Sequence, residues 1–272
     1  MRKLPAARGL AWFTGSLILL RAQFVRLLLI GLILQFLMGL TQFGVLGFLL
    51  VLAIPALTAG VMQAMAVAER GLKPPLSALF AAFYAPDRLL RLFLLSAVLI
   101  ASATLTAGII LSGSVEMMNQ DLLTRLEQGD LEALSEIDPV LIQRLAMAVL
   151  AGLAVSGSIA YFSIPLIWFR GQAAGAAILN GLVGMIKNWA PFLVLGGLLA
   201  LMAVPVMLIS LALLASSAGT GGSSTILTLI MLLMMVAYQL LLFGAQYLSF
   251  KEIFGTGPED SAPAHEEDQL VA

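Results

Sequence analysis

The sequence predicts an all-α, polytopic membrane bundle of about six transmembrane helices, with three cytoplasmic interfacial elbow helices and a short outer helical hairpin. Three observations predict it. Hydrophobic residues make up 61% of the chain and charged residues 11%, with a mean hydropathy of +1.03; soluble domains run at roughly 45–50% and 25%, and a water-soluble fold cannot hide so much apolar surface. Six stretches reach the roughly 20 apolar residues that cross a hydrocarbon core. They lie near 24–41, 43–68, 89–112, 140–166, 191–215 and 225–250. The charges, finally, are sorted between alternate loops.

The chain opens with Arg2, Lys3 and Arg8 ahead of an apolar run, a superficial likeness to a signal peptide. Arg21 and Arg26 interrupt that run, and no small-x-small site follows it, so it is read instead as an interfacial helix. Leu10, Trp12, Phe13, Leu17, Leu20 and Phe24 recur at mostly helical spacing, leaving Arg8, Arg21 and Gln23 to face water. Spans one and two are separated only by Thr41, Gln42, Phe43 and Gly44, which demands a tight helical hairpin. A second elbow (Leu76, Leu79, Phe80, Phe83, Tyr84) precedes span three. A third (Ile178, Leu182, Met185, Ile186, Trp189) precedes span five.

Between spans three and four, the outer segment 113–138 predicts a helical hairpin. Val115, Met118, Leu122 and Leu126 form a stripe, Gly129 is a stop, and Asp130 caps a second short helix. Asp138-Pro139 reads as the N-cap and first position of span four. The organisation is one transmembrane domain over 1–255 and an acidic tail, 256–272, too poor in apolar residues to fold. Within the domain, parallel repeats of elbow plus two spans are expected near 9–70, 76–170 and 176–255. Gly15 to Leu29 aligns with Gly181 to Leu195, and Ile54-Pro55 and Ile164-Pro165 each precede a Gly and Gln-Ala cluster, at Gly60 with Gln63-Ala64 and at Gly171 with Gln172-Ala173.

Orientation follows from the cations. Six crossings put Arg2, Lys3, Arg8, Arg21, Arg26, Arg70, Lys73, Arg88, Arg91, Arg170, Lys187 and Lys251 on one side and only Arg125 and Arg144 on the other. The positive-inside rule makes the first side cytoplasmic, with both termini there. The outer segment is acidic, carrying Glu116, Asp121, Glu127, Asp130, Glu132, Glu136 and Asp138. A net charge of -1 gives no electrostatic reason to expect a nucleic-acid partner. The absence of cysteine excludes disulfides, thiolate metal sites and cysteine nucleophiles.

No Asp, Glu, Lys or His lies in the middle of a span, and Arg144 sits about one turn inside span four, where it can snorkel outward. No catalytic, cofactor-binding or metal-ligating residues are assigned, and no cofactor and no enzymatic activity are expected. Among the polar residues inside spans, Gln63, Gln239 and Gln246 are candidates for intramembrane contacts, to a pore or headgroup or, more simply, between helices. Ala148, Gly152, Ser156 and Ala160 form a small-xxx-small ridge for helix packing, and Gly171-x-x-x-Gly175 is a short match to the same pattern. Pro55, Pro165 and Pro205 should bend their helices. Trp12, Trp168, Trp189 and Tyr84, near the basic face, suit either anchoring or anionic lipid headgroups.

The stretch Pro55-Ala-Leu-Thr-Ala-Gly60, then Glu69-Arg-Gly71-Leu-Lys-Pro74, Leu79-Phe80 and Phe83, resembles a group of six-helix bacterial inner-membrane proteins of unknown function. The resemblance implies a location in the bacterial cytoplasmic membrane and transfers no site residues. With the lipid bilayer as first partner, anionic lipids at the cytoplasmic face and proteins at the acidic outer segment are further candidates. The expected role is a non-enzymatic scaffold or accessory subunit; the alternative is a channel or transporter for a lipid or small apolar solute.

Overall fold

A computed structural model describes residues 1–113, 138–220 and 225–255. In chain order the elements are α1 (Arg8–Ala22), α2 (Phe24–Gly39), a 3-10 turn (Leu40–Gln42), α3 (Gly44–Glu69), a second 3-10 helix (Leu76–Tyr84), α4 (Pro86–Leu111), α5 (Pro139–Arg170), α6 (Ala174–Lys187), α7 (Trp189–Thr220) and α8 (Thr225–Phe254). Six of the helices, α2, α3, α4, α5, α7 and α8, are long and apolar enough to cross a membrane. The chain is an all-α, multi-pass bundle. The proposed outer hairpin and the acidic tail lie outside the described residues.

Local chemistry sets the boundaries. Gly44 takes φ 41°, a left-handed turn open to glycine, and this makes the four-residue reversal between α2 and α3 possible. Asp138 caps α5 as expected, its Oδ1 accepting from the Val140 N–H at 2.8 Å with Pro139 in the first turn. Gly171 closes α5 in the left-handed region, φ 62°. The 171–175 pair therefore spans a helix end and the next helix start, and it is not a packing motif on one helix.

The three elbows pack through their small residues. In α1 the buried face is Gly9, Trp12, Ser16, Leu19 and Leu20, while Leu10, Leu17 and Phe24 of the expected stripe are exposed. In α6 it is Ala177, Gly181 and Gly184, with Leu179, Ile186 and Trp189 turned out. The middle elbow is a 3-10 helix that buries Ala78, Leu79 and Ala82 and exposes Phe80, Phe83 and Tyr84. The division has one physical cause. In lipid, large apolar side chains gain little by moving inward, whereas small ones let backbones approach and pack. A Cβ on Gly60 would collide with the Leu79 carbonyl, and one on Gly9 with the Pro191 carbonyl.

The core lies at the elbow end of the bundle. Its fully buried large side chains include Trp12, Leu27, Ile30, Leu57, Met62, Met65, Leu92, Phe162 and Ile167. The best-buried span is α3, with 56% of its most apolar window inside the protein, against 11% for α4 and 6% for α7.

Candidate functional site

The polar residues inside the spans are organised by the prolines. A proline has no N–H, so the carbonyl four residues earlier loses its helical donor, and in hydrocarbon an unmet carbonyl is expensive. Pro165 strips Tyr161 in this way, and Gln246 of α8 answers, its Nε2 donating to the Tyr161 carbonyl at 2.5 Å. The Tyr161 hydroxyl, 3.1 Å from Ser249 Oγ, makes a second α5–α8 tie. Near Pro55, whose missing N–H strips the Val51 carbonyl, the hydroxyl of buried Ser96 on α4 donates instead to the neighbouring Leu52 carbonyl at 2.6 Å and ties α4 to α3. Pro205 of α7 strips the Leu201 carbonyl on an exposed stretch, and no side chain among the described residues donates to it.

Gln63 is also engaged. Its Oε1 accepts from Trp168 Nε1 at 3.1 Å, and the Arg88 guanidinium lies 5.2 Å over the Trp168 ring. Gln63 and Gln246, two of the three glutamines singled out from the sequence, are thus interhelical ties. Gln239 differs: half-buried on α8, it makes no hydrogen bond with any described residue. The small ridge on α5 faces α4, where Gly152 sits against Ala103; Ala148 is buried, Ser156 bonds back to the Gly152 carbonyl at 2.7 Å, and Ala160 is half-buried.

At the elbow end the helix termini are clasped. Glu252 accepts from Trp12 Nε1 at 2.7 Å and pairs with Arg8 at 2.5 Å. Glu69 pairs with Lys251 at 2.9 Å and accepts from the Tyr247 hydroxyl at 2.7 Å. Arg170 donates to the carbonyls of Phe254 and Gly255 that end α8, and Arg91 to the carbonyl of Gly171 that ends α5. Buried Asn188 accepts from the Leu4 N–H at 2.9 Å and donates to the carbonyls of Arg2 at 3.1 Å and Gly184 at 2.9 Å, tying the N-terminal segment to the α6–α7 corner. Trp12 and Trp168 are consequently interior donors and not the interfacial anchors expected of them; Trp189 and Tyr84 are exposed.

Sequence reading missed Asn188, Glu252, Ser96 and Arg170. Their long-range partners lie 44 to 244 positions away along the chain, so no local spacing announces them. What the arrangement does chemically is fix helix ends and helix pairs. On the outside of the bundle, Phe48, Leu52, Ala97, Ile100, Ala101, Thr104 and Leu105 line an open groove between α3 and α4 of about 520 Å³. Around the elbow end, Arg21, Arg26, Lys73 and Lys187 are exposed and make no ion pair with a described residue. No family model, curated protein or solved structure matches the chain.

Proposed function

We propose that the chain is a non-enzymatic membrane scaffold or accessory subunit of the bacterial cytoplasmic membrane, with the elbow end and both termini in the cytoplasm. One observation carries this reading: the elbow end is knitted together by hydrogen bonds and close packing, while the far halves of α4, α5, α7 and α8 hold long apolar faces that no described residue covers. Leu105, Ile109, Leu150, Leu153, Leu201 and Leu208 are all exposed. A rigid base with uncovered helices suits a protein that receives helices from others. The acidic composition of segment 114–137 suits a basic partner, and Arg21, Arg26, Lys73 and Lys187, exposed and without an ion pair to any described residue, suit anionic headgroups at the base.

In-membrane photocrosslinking tests it, with probes at Leu150, Leu208 and Glu127. Protein adducts at these positions are expected; lipid adducts alone at all three overturn the scaffold. The second reading, passage or handling of a lipid or small apolar solute, is favoured by the α3–α4 groove, whose walls are apolar except for Thr104. A probe at Thr104 that captures lipid, with nothing but lipid at the other positions, selects that reading.

A further inference from the structure

The faces that join α5 to α8 come apart toward the far end. Gln246 and the Tyr161 carbonyl mark the last tie between the two helices on that line. Positions seven residues away lie on the same helical face, about 10 Å further along the axis. On α8 that position is Gln239, and on α5 it is Ala154. Below the tie these faces are closed: Pro165 and Trp168 on α5 and Ser249 and Ile253 on α8 are all buried. Above it they open. Ala154 and Gly157 are exposed, a Cβ on Gly157 would meet nothing within 4 Å, and Leu150 and Met235 beyond them are exposed as well. The result is a wedge with a small-residue wall on α5, and on the other wall Gln239, whose amide meets no described residue.

We propose that this wedge seats a transmembrane helix of a partner protein, one that carries an amide or hydroxyl side chain at mid-membrane depth to pair with Gln239. The proposal rests on the scaffold reading and names the chemistry of what the scaffold receives. An acyl chain fills apolar space but offers no hydrogen-bonding atom at that depth, where a primary amide must find one within protein. A helix offers both, and Ala154 and Gly157 allow its backbone close. A second group to which no described side chain donates lies level with the first. The contacts Tyr238 to the Leu199 carbonyl at 3.2 Å and Ser210 to Met231 at 3.4 Å set α7 against α8 so that the stripped Leu201 carbonyl is at the height of Gln239.

The test uses the full chain in vesicles of phosphatidylcholine and phosphatidylglycerol, with two synthetic polyleucine helices, one all leucine and one with a single central asparagine. Binding is read by energy transfer. The asparagine helix should bind about five-fold or more tightly than its parent. Gln239→Leu should abolish that preference, Gln239→Asn should keep it and show that the site still folds, and Ala154→Phe should weaken both peptides by filling the wedge. Equal binding of the two peptides to the unaltered chain overturns the proposal. So does Gln239-dependent energy transfer between copies of the chain without peptide, since the occupant is then a second copy. Either failure leaves adducts at Leu208 and Glu127 untouched, so it is distinct from failure of the scaffold itself.

Discussion

The two ends of the same helices are built on different principles. At the elbow end α1, the 76–84 helix and α6 wedge small residues against the spans, Trp12, Tyr161, Phe162 and Phe192 interlock with ring centroids 4.9 to 5.5 Å apart, and polar groups from distant positions close on one another. Toward the far end the helices continue with exposed leucines and with the Gln239 amide and Leu201 carbonyl, which no described side chain meets. Burial within a bilayer brings no water-driven gain, so cohesion there comes from dispersion and hydrogen bonds. Composition, apolar throughout and with small residues in both halves, does not distinguish the two ends; the polar groups paired across distant positions do.

Substitution should therefore separate the ends, and glycine gives the sharpest contrast. Gly60→Val drives a side chain into the Leu79 backbone, which is not a flexible neighbour that can move aside. A cost of about 3 kcal/mol is expected, read as early thermal unfolding in detergent micelles. Gly157→Val and Gly108→Val add side chains in open space and should stay within about 0.5 kcal/mol of the parent. Equal costs at both ends would erase the distinction.

Next in size is Gln246→Leu. It abandons the Tyr161 carbonyl already stripped by Pro165 and should cost about 1–2 kcal/mol. The sharper form is a cycle with Pro165→Ala, which returns a helical donor to that carbonyl. In the alanine background the glutamine should matter less, and additive effects would show that Gln246 answers something other than the proline.

How far the sequence could be read follows the same division. The six spans, the tight turn at Gly44 and the Asp138 cap were legible because each depends on neighbours within a few positions. The apolar stripe of the first elbow divides between two surroundings: Trp12 and Leu20 turn into the bundle while Leu10 and Leu17 stay on its outside, and the buried face also takes Gly9 and Ser16, which hydrophobic size does not single out. Of the candidate site residues, Gln63 and Gln246 could be flagged as polar in a span, but their partners, Trp168 and the Tyr161 carbonyl, arise from tertiary contact 105 and 85 positions away. The proline that makes Gln246 necessary was visible; its connection to α8 was not.

The smallest expected effect belongs to the rim of the elbow end, where Glu69 and Lys251 pair at 2.9 Å with their side chains 30% and 39% exposed. Water screens such a pair, and exposed ion pairs contribute roughly 0.2–1 kcal/mol. Lys251→Met should therefore lower stability by less than about 1 kcal/mol, and raising the salt should shrink even that difference. Glu69→Gln should cost somewhat more, because the same carboxylate also accepts from the Tyr247 hydroxyl at 2.7 Å, which joins α3 to α8 further from solvent. If Lys251→Met proved as damaging as Gln246→Leu, cohesion at the elbow end would depend on its charged rim, and the uncovered far half would differ from it in electrostatics before it differed in packing.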